Sequence, residues 1–508
     1  MSHLVALLLF MLPFPPSDDT RLADAARNRD VTAMKTLMQQ KVNPNTPDAD
    51  GTPALHWTVR VDDLDTTKRL IAAGADVKLP DRYGVTPLYL ATKNGNAAMI
   101  KLLLASGADA NGADPTGATP LMVAAGVGDL AAVRELLDAG AAVDAREPGF
   151  QQTAIMFAIR ENHPDVVKFL INRGADVNAK MRVGPIPEWF KPNSAAAFGH
   201  GVGILRGGLP ERGSRIPIQG GMTPLLYGAR DGRLDSVKLL IDAKADVNLA
   251  EANGITPLVI ALNNNQIAVA KYLIEHGADL NASDWYGRTP VWSAVELRNM
   301  DVTNSTFAHD VDREGALEVL QMLLDRGASP NPRTKEVPPV RRHILPTTTS
   351  LSWVDFTGQT PFITAALSGD VTAMRLLLAH GADPNITTFG GTTPLMAAAG
   401  VNWVFFQTFD EGAEKLLEAV KLCVELGQDV NAANSMGLTP LMGAANRGSD
   451  DIIQFLVEHG AKLDVKDKEG RTPLNWAEGV FLATNPAKPK PSSMELIKRL
   501  SNAKASTK

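Results

Sequence analysis

Apolar residues follow two helical patterns in succession along the stretch GVTPLYLATKNGNAAMIKLLLASGADAN, residues 84–111. Leu88 and Ala91 fall on one face of a first short helix, and Ile100 and Leu103 fall on one face of a second. Neither segment is long enough to be a stable helix in isolation. The pattern therefore predicts a helix pair whose apolar faces are buried against neighbouring pairs.

The sequence also predicts where both helices begin and end. Thr86 suits an N-cap, and Pro87 suits the first helical position, where its missing N–H costs nothing. Gly95 ends the first helix in a left-handed turn, and the second helix is predicted over about residues 96–106. Gly107 ends the second helix and leads into a turn-rich connection.

The same pattern recurs along the chain. The apolar residue of the TPL triplet, or its equivalent, marks each copy: Leu55, Leu88, Leu121, Ile155, Leu225, Leu258, Val291, Phe362, Leu395, Leu441 and Leu474. Most markers lie 33 or 34 residues apart, and three intervals of 70, 71 and 46 residues carry extra material. A degenerate copy over residues 21–45 precedes them. The 508-residue chain is thus predicted to be a repeat array.

The repeated unit resembles the ankyrin repeat, whose pattern is G-x-TPLH-x-A followed by V-x-x-LL-x-x-GA-x-x-N. The resemblance covers roughly residues 18–482. It implies an all-α fold, an α-solenoid of about 12 repeats in which hairpin-like fingers project to one side. Histidine follows the marker only at His56, and Ala154 replaces the expected proline in the fourth marked copy.

Four insertions interrupt the pattern and divide the chain. The predicted segments are a possible signal at 1–17, repeats at 18–178, a finger insertion at 179–220, repeats at 221–331 with an inter-helix insertion at about 296–315, a second finger insertion at 332–357, repeats at 358–501, and a disordered tail at 502–508. A further inter-helix insertion follows Gly400. A capping-box pattern at Ser492 predicts a closing helix over residues 493–501.

The two finger insertions are the first candidates for binding a partner. Residues 180–220 carry a net charge of +4 and residues 332–357 carry +2, whereas the whole chain carries −6. Aromatic and arginine side chains are enriched in binding hot spots. The candidates are Trp189, Phe190, Arg206, Arg212, Arg215, Arg341, Arg342 and Trp353. The alternative is that these aromatic side chains pin long loops onto the solenoid.

Ordinary fingertips are the second set of candidates. The residues that precede the glycine of each finger include Arg82, Tyr83, Phe150, Trp285, Tyr286 and Phe389. The resemblance implies that a partner binds at such tips and on the concave face of the inner helices. The alternative is that neighbouring tips stack on one another.

Catalytic and metal-binding patterns are sparse. The sequence contains no P-loop, G-x-S-x-G or HExxH motif, and no cofactor is predicted. His309, Asp310, Asp312 and Glu314 could ligate a divalent ion, but the start of a solvated helix explains them as well. Cys423 replaces a leucine of the repeat, so we expect a buried, unreactive thiol.

The N-terminal segment contains an apolar run from Leu4 to Phe14, too short to span a bilayer. Its length suits the apolar region of a secretion signal, although the basic residues that normally precede such a region are missing. Similarity to bacterial ankyrin-repeat proteins with exported N-termini favours a periplasmic or secreted protein. The alternative is a cytoplasmic protein.

These observations predict a non-enzymatic scaffold that binds another protein through its fingertips, long insertions and concave face. The small net charge does not indicate nucleic acid as a partner, and no segment predicts a membrane span in the mature chain. The alternative is a ligand-binding protein or enzyme with a site in residues 179–220 and 332–357. Glu188, His200, Glu211 and His343 are the acid–base material available there.

Overall fold

The computed structural model describes residues 19–184, 220–300, 311–335, 357–403, 410–480 and 487–506. Within these ranges the chain consists of α-helices joined by turns, which confirms the all-α prediction. The helices are short, and most contain seven to nine residues.

Twelve helix pairs follow one another in the described ranges. Each pair has an inner helix, with an odd number, and an outer helix, with an even number. The helices are α1 Arg21–Arg27, α2 Val31–Gln39, α3 Ala54–Arg60, α4 Leu64–Ala72, α5 Pro87–Asn94, α6 Ala97–Ala105, α7 Pro120–Val127, α8 Leu130–Asp138, α9 Ala154–Arg160, α10 Pro164–Asn172, α11 Pro224–Arg230, α12 Leu234–Asp242, α13 Pro257–Asn263, α14 Ile267–Glu275, α15 Pro290–Arg298, α16 Arg313–Asp325, α17 Pro361–Ser368, α18 Val371–Ala379, α19 Pro394–Ala399, α20 Ala413–Glu425, α21 Pro440–Arg447, α22 Asp450–Glu458, α23 Pro473–Gly479 and α24 Pro491–Ser506.

The chain forms two compact units. The first unit contains the residues up to Arg182 together with residues 238–244, and the second contains residues 183–237 and those from Ala245 onward. In the first unit, α1, α3, α5, α7 and α9 stack in chain order. In the second unit, α11, α13, α15, α17, α19, α21 and α23 do the same. Each unit is therefore a stack of repeats whose neighbours share apolar faces.

The helix ends are capped as the sequence predicts. The Thr86 side chain accepts a hydrogen bond from the Tyr89 N–H, and Pro87 begins α5. Gly95 ends α5 with a φ of 69°, a left-handed conformation that glycine adopts without steric strain. Leu88, Ile100 and Leu103 are almost completely buried. The local pattern and the packing thus agree.

An asparagine clamp joins successive repeats on the side of the outer helices' C-termini. The Asn111 side chain donates to the Gly140 carbonyl (3.2 Å) and accepts from the Ala142 N–H (2.8 Å). Asn45, Asn248, Asn331 and Asn431 make the same pair of bonds to the repeat that follows each of them. These clamps set the spacing between neighbouring repeats.

His56 makes a second kind of bond between repeats. Its Nε2 lies 3.0 Å from the Val85 carbonyl oxygen, and the imidazole is buried between α3 and the next finger. Because the carbonyl can only accept, Nε2 carries the proton. Burial lowers the pKa of His56, so the ring is neutral at neutral pH.

The base of the first inter-helix insertion is held by a buried ion pair. Arg298, the last residue of α15, donates from Nε to the Asp370 carboxylate (2.8 Å) and from Nη1 to the Arg313 carbonyl (2.9 Å). Asn299 donates to the same carboxylate, and Asp370 in turn caps α18 through the Ala373 N–H. The Arg298–Asp370 pair therefore links α15, α16 and α18.

The second finger insertion interrupts the chain but not the stack. Thr334 and Gln359 exchange hydrogen bonds, the Thr334 N–H donating to the Gln359 carbonyl (3.0 Å) and the Gln359 N–H to the Thr334 Oγ1 (2.9 Å). The two ends of the insertion thus meet at the base of one finger, and α15 packs directly on α17.

The C-terminal helix differs from the prediction at both ends. It begins at Pro491 and extends to Ser506, so residues 502–506 are helical and the prediction of a disordered tail there is wrong. Ser492, where the capping box was predicted to begin, lies inside the first turn of this helix. The neighbouring Ser493 is buried, and its hydroxyl donates to Asp450. The extension is explained by Ala503 and the residues that follow it, which favour helix. As predicted, α24 covers the end of the stack, against α22 and α23.

The predicted buried thiol is confirmed. Cys423 is completely buried in α20, and burial raises its pKa to about 12. Among the helices that the structure describes, none is both long and apolar enough to cross a membrane. The apolar run from Leu4 to Phe14 lies outside the described residues.

We expect the Asn111→Ala substitution to loosen the first unit, because it removes both bonds of a clamp. The substitution should lower the free energy of local opening of α6–α9 by about 1–2 kcal/mol, measured by amide hydrogen exchange. The matched control is Asn172→Ala, at an exposed asparagine that takes part in no clamp. Equal protection of the two variants would contradict the role of the clamp.

Loss of the buried ion pair is expected to destabilise the second unit more strongly. Asp370→Ala leaves Arg298 buried without its carboxylate, and should lower protection of α15–α18 by about 3–5 kcal/mol. The double variant Arg298→Met, Asp370→Asn should cost less than Asp370→Ala alone, because no charge is then left unpaired. Asp325→Asn, which disrupts an exposed pair with His380, is the control and should change little. If the double variant lost as much amide protection as Asp370→Ala, the unpaired charge on Arg298 would not be the cause of the loss.

Candidate functional site

Eight of the described fingertips are turns closed by a polar side chain, which is buried in most of them. In the finger of residues 81–84, the Asp81 carboxylate accepts hydrogen bonds from the N–H groups of Tyr83 and Val85, both at 2.9 Å. Asp48, Asp114, Asp284 and Asp467 do the same in their fingers, as do Glu147, Glu251 and Asn434. These hydrogen bonds therefore hold the backbone of the tips in a defined turn.

Neighbouring tips are also joined through the backbone. The Arg82 N–H donates to the Gly51 carbonyl (3.0 Å), and in the second unit the Trp285 N–H donates to the Asn253 carbonyl (2.9 Å). Pro115 and Pro148 occupy the corresponding position in the two fingers after Arg82 and have no N–H to donate. The side chains at the tips thus project from a largely rigid backbone.

Four of the predicted tip residues present a large apolar ring to solvent. Tyr83 and Phe150 in the first unit are 67% and 66% exposed, and Trp285 and Phe389 in the second unit are 46% and 56% exposed. Arg82 is exposed beside Tyr83, with its guanidinium 5.5 Å from the ring centroid. Exposed rings on fixed turns are suited to contact with a partner.

Arginine also stacks on a tip in the second unit. The Arg333 guanidinium lies 4.4 Å from the centroid of the Phe389 ring and donates to the Thr387 carbonyl at 2.6 Å. Arg333 belongs to the finger before Phe389, at the start of the second insertion. Arg333 therefore packs against the Phe389 ring, which stays 56% exposed.

The prediction that Tyr286 is an exposed contact residue is wrong. Its side chain is only 5% exposed and stacks on the buried Arg288, whose guanidinium lies 5.2 Å from the ring centroid. The backbone at this position is bonded to the next finger, the Lys335 N–H donating to the Tyr286 carbonyl at 2.7 Å. At this finger only Trp285 projects outward.

The remaining predicted residues lie outside the described ranges. They are Trp189, Phe190, Arg206, Arg212, Arg215, Arg341, Arg342 and Trp353. The four acid–base residues considered for an enzyme, Glu188, His200, Glu211 and His343, lie outside them as well.

The inner helices carry a second set of aromatic and arginine residues, which the sequence did not predict; Tyr227 among them is buried and the others are at least partly accessible. Three inner helices place an arginine three residues after an aromatic residue, so that the guanidinium lies over the ring. The pairs are Trp57 with Arg60 at 4.9 Å, Phe157 with Arg160 at 4.8 Å and, in the second unit, Tyr227 with Arg230 at 4.8 Å from the ring centroid. These pairs could have been found in the sequence from an arginine that follows an aromatic residue by three positions, shortly after the repeat marker.

Trp57 is the most connected of these residues. Its Nε1 donates to the Asp48 carboxylate (2.9 Å), the same group that closes the preceding finger. Arg27 and Arg60 flank the indole, with guanidinium carbons 5.5 and 4.9 Å from the ring centroid. Trp476 makes the equivalent bond to Asp467 (3.0 Å) in the last repeat. These tryptophans fix the fingers relative to the inner helices.

The described ranges contain no group of three or more His, Cys, Asp or Glu side chains arranged to hold a metal ion. Of the residues considered for a metal, His309 and Asp310 lie outside these ranges, and Asp312 caps α16 by accepting from the Gly315 N–H (2.8 Å). The helix-start interpretation of Asp312 is thereby supported by its contact. Instead of a metal-binding cluster, the described surface presents exposed aromatic rings and guanidinium groups.

Two protein-family models match the repeats of this chain. A family model described as ankyrin repeats (3 copies) matches residues 22–114, 99–181, 225–334 and 411–479. A model described as ankyrin repeats (many copies) matches residues 350–396. Together these matches cover more than half of the 508 residues.

Curated relatives match over part of the chain. Ankyrin repeat domain-containing protein 46 of Rattus norvegicus is 41% identical over 119 residues, which is 23% of this chain and 45% of that protein. Putative ankyrin repeat protein YahD of Escherichia coli (strain K12) is 31% identical over 138 residues, 24% of this chain and 58% of that protein. The chain therefore spans about half the length of the curated relatives it matches.

Two solved structures are similar in fold. The ankyrin repeat domain of Bcl-3 is 23% identical, with a TM-score of 0.38, over 48% of this chain and 93% of that chain. The human ASB11 ankyrin repeat domain is 24% identical, with a TM-score of 0.38, over 52% of this chain and 96% of that chain.

Proposed function

The chain belongs to the ankyrin-repeat family, and on that basis we propose that it is a non-enzymatic scaffold that binds a protein partner through its fingertips and inner helices. Ankyrin repeats generally mediate protein–protein interaction. The observation that carries the proposal is the set of four exposed rings, Tyr83, Phe150, Trp285 and Phe389, on hydrogen-bonded turns.

The energetic argument has two parts. Aromatic and arginine side chains contribute most of the binding free energy in typical interfaces. The tips are also fixed before binding, because a polar side chain closes the turn, as the Asp81 carboxylate does for Tyr83 and the Glu147 carboxylate for Phe150. Binding then costs less conformational entropy than it would for a flexible loop.

The long insertions belong to the same proposal. Their positive charge and aromatic content suit contact with a partner, and the ends of the second insertion meet at a finger base beside Arg333 and Phe389. A partner bound at the second unit's tips is therefore expected to meet the insertion as well.

Removal of the tip rings should weaken capture of a partner. We expect Tyr83→Ala with Phe150→Ala, or Trp285→Ala with Phe389→Ala, to lower affinity at least tenfold, since one hot-spot ring contributes about 2 kcal/mol. Affinity capture from a native extract followed by mass spectrometry identifies the partner, and titration then measures Kd.

The matched control is Val31→Ala with Val127→Ala, which removes exposed apolar groups away from the tips. A deletion of residues 183–218 tests the first insertion in the same assay. Undiminished binding by both tip variants would contradict the proposal for the tips. Loss confined to the deletion would place the contact in the insertion.

We also propose that residues 1–17 direct export and are then removed. The support is the apolar run from Leu4 to Phe14 and the start of α1 at Arg21, which a cut near Ser17 leaves whole. Residues 23–25, Ala-Asp-Ala, also match the A-x-A cleavage pattern, but a cut after Ala25 would remove most of α1.

Expression of the full chain in a Gram-negative host, with fractionation and intact-mass measurement, tests export. We expect a periplasmic product that has lost about 17 residues, and retention of full-length protein when Leu7 and Leu8 are replaced by Arg. A full-length cytoplasmic product from the unaltered chain would support the cytoplasmic alternative.

A further inference from the structure

A row of basic side chains crosses the inner helices of the first unit. Arg27, Arg60, Lys93 and Arg160 occupy the same repeat position, in the last turn of α1, α3, α5 and α9. Successive positions are 33 or 34 residues apart, and Gly126 fills the place in α7. We call these four residues the basic row.

The helix dipole alone does not explain the basic row. Basic residues are favoured near any helix C-terminus, so inner and outer helices should carry them equally. In the first unit, four of five inner helices have one in the last turn, but of the outer helices only α4 does, at Arg69. The bias toward the inner face therefore indicates a function of that face.

The basic row is accessible and only partly neutralised. Arg60 and Lys93 are exposed and form no ion pair with a described acidic residue. Arg27 pairs with Asp50 at 2.7 Å and Arg160 with Glu161 at 2.9 Å, and both pairs are solvent-exposed. Exposed pairs are weak, so a partner's carboxylate can replace the internal one.

An apolar strip runs beside the basic row. Three residues before Arg60, Lys93 and Arg160 the inner helices carry Trp57, Leu90 and Phe157, all partly accessible, and Val123 occupies the same position in α7. In α1 this position is Asp24, so the apolar strip runs from α3 to α9. The guanidinium groups of Arg60 and Arg160 lie over the Trp57 and Phe157 rings. An apolar strip beside cations matches a ligand that carries both apolar groups and carboxylates.

We propose that the inner-helix face of the first unit binds an extended, acidic segment of a partner protein. Its carboxylates pair with the basic row, and its apolar side chains lie on Trp57 and Phe157. This inference rests on the proposed scaffold function and specifies the chemistry of one partner. Nucleic acid fits less well, because Asp50 and Glu161 are interleaved with the cations and would repel a continuous phosphate backbone.

The test uses the full chain and fluorescent peptides of about 15 residues, which span about 50 Å when extended. One peptide alternates glutamate and leucine-rich segments, and its matched partner has glutamine in place of every glutamate. Binding is measured by anisotropy at low and physiological salt, with a single-stranded oligonucleotide as a third probe.

The key variant is Arg60→Gln with Lys93→Gln. The charge-matched control is Lys68→Gln with Lys168→Gln, which removes the same charge from the outer helices α4 and α10. We expect the acidic peptide to bind in a salt-sensitive way, the key variant to weaken it about tenfold, and the control to change it less than about twofold.

Equal loss in the key and control variants, equal binding of the glutamine peptide, or no binding of the acidic peptide would overturn the inference. Tighter binding of the oligonucleotide would favour nucleic acid instead. If the partner captured from extract binds the Arg60→Gln, Lys93→Gln variant as well as it binds the unaltered chain, this inference fails while the scaffold function stands.

Discussion

Every feature of this protein depends on the contact between one helix pair and the next. A single pair cannot bury its own apolar face, so each repeat is stable only because Leu88, Leu103 and their equivalents pack against neighbouring copies. The asparagine clamps, such as the two bonds of Asn111 to residues 140 and 142, fix the spacing of this contact. Stability is therefore a sum of local interfaces.

The same arrangement separates structure from recognition. Residues that keep the repeat pattern are used for packing, whereas tip rings such as Tyr83 and last-turn residues such as Arg60 and Lys93 remain exposed. The two are joined at Asp48, which closes a finger and accepts the indole N–H of Trp57. A partner that presses on a fingertip thus meets a structure anchored in the inner helices.

The insertions show how the array accepts added chain. The Arg298–Asp370 pair holds the base of one insertion against a neighbouring repeat, and the bonds between Thr334 and Gln359 close the base of another. In each case the extra residues leave and rejoin at a turn. The stack of inner helices in the second unit is therefore continuous past both sites.

The sequence by itself determined the repeat unit, its helices and caps, the burial of Cys423 and the position of the fingers, because these depend on residues close together in the chain. The tertiary structure decided what neighbouring repeats cover or expose. Tyr286 and Trp285 are adjacent and similar in type, yet Tyr286 is 5% exposed and Trp285 is 46% exposed. The hydrogen bond from Ser493 to Asp450 joins residues 43 positions apart, which no local pattern indicates. The basic row likewise becomes a surface only when stacking aligns positions 33 residues apart, since exposure is a property of neighbours that local sequence does not specify.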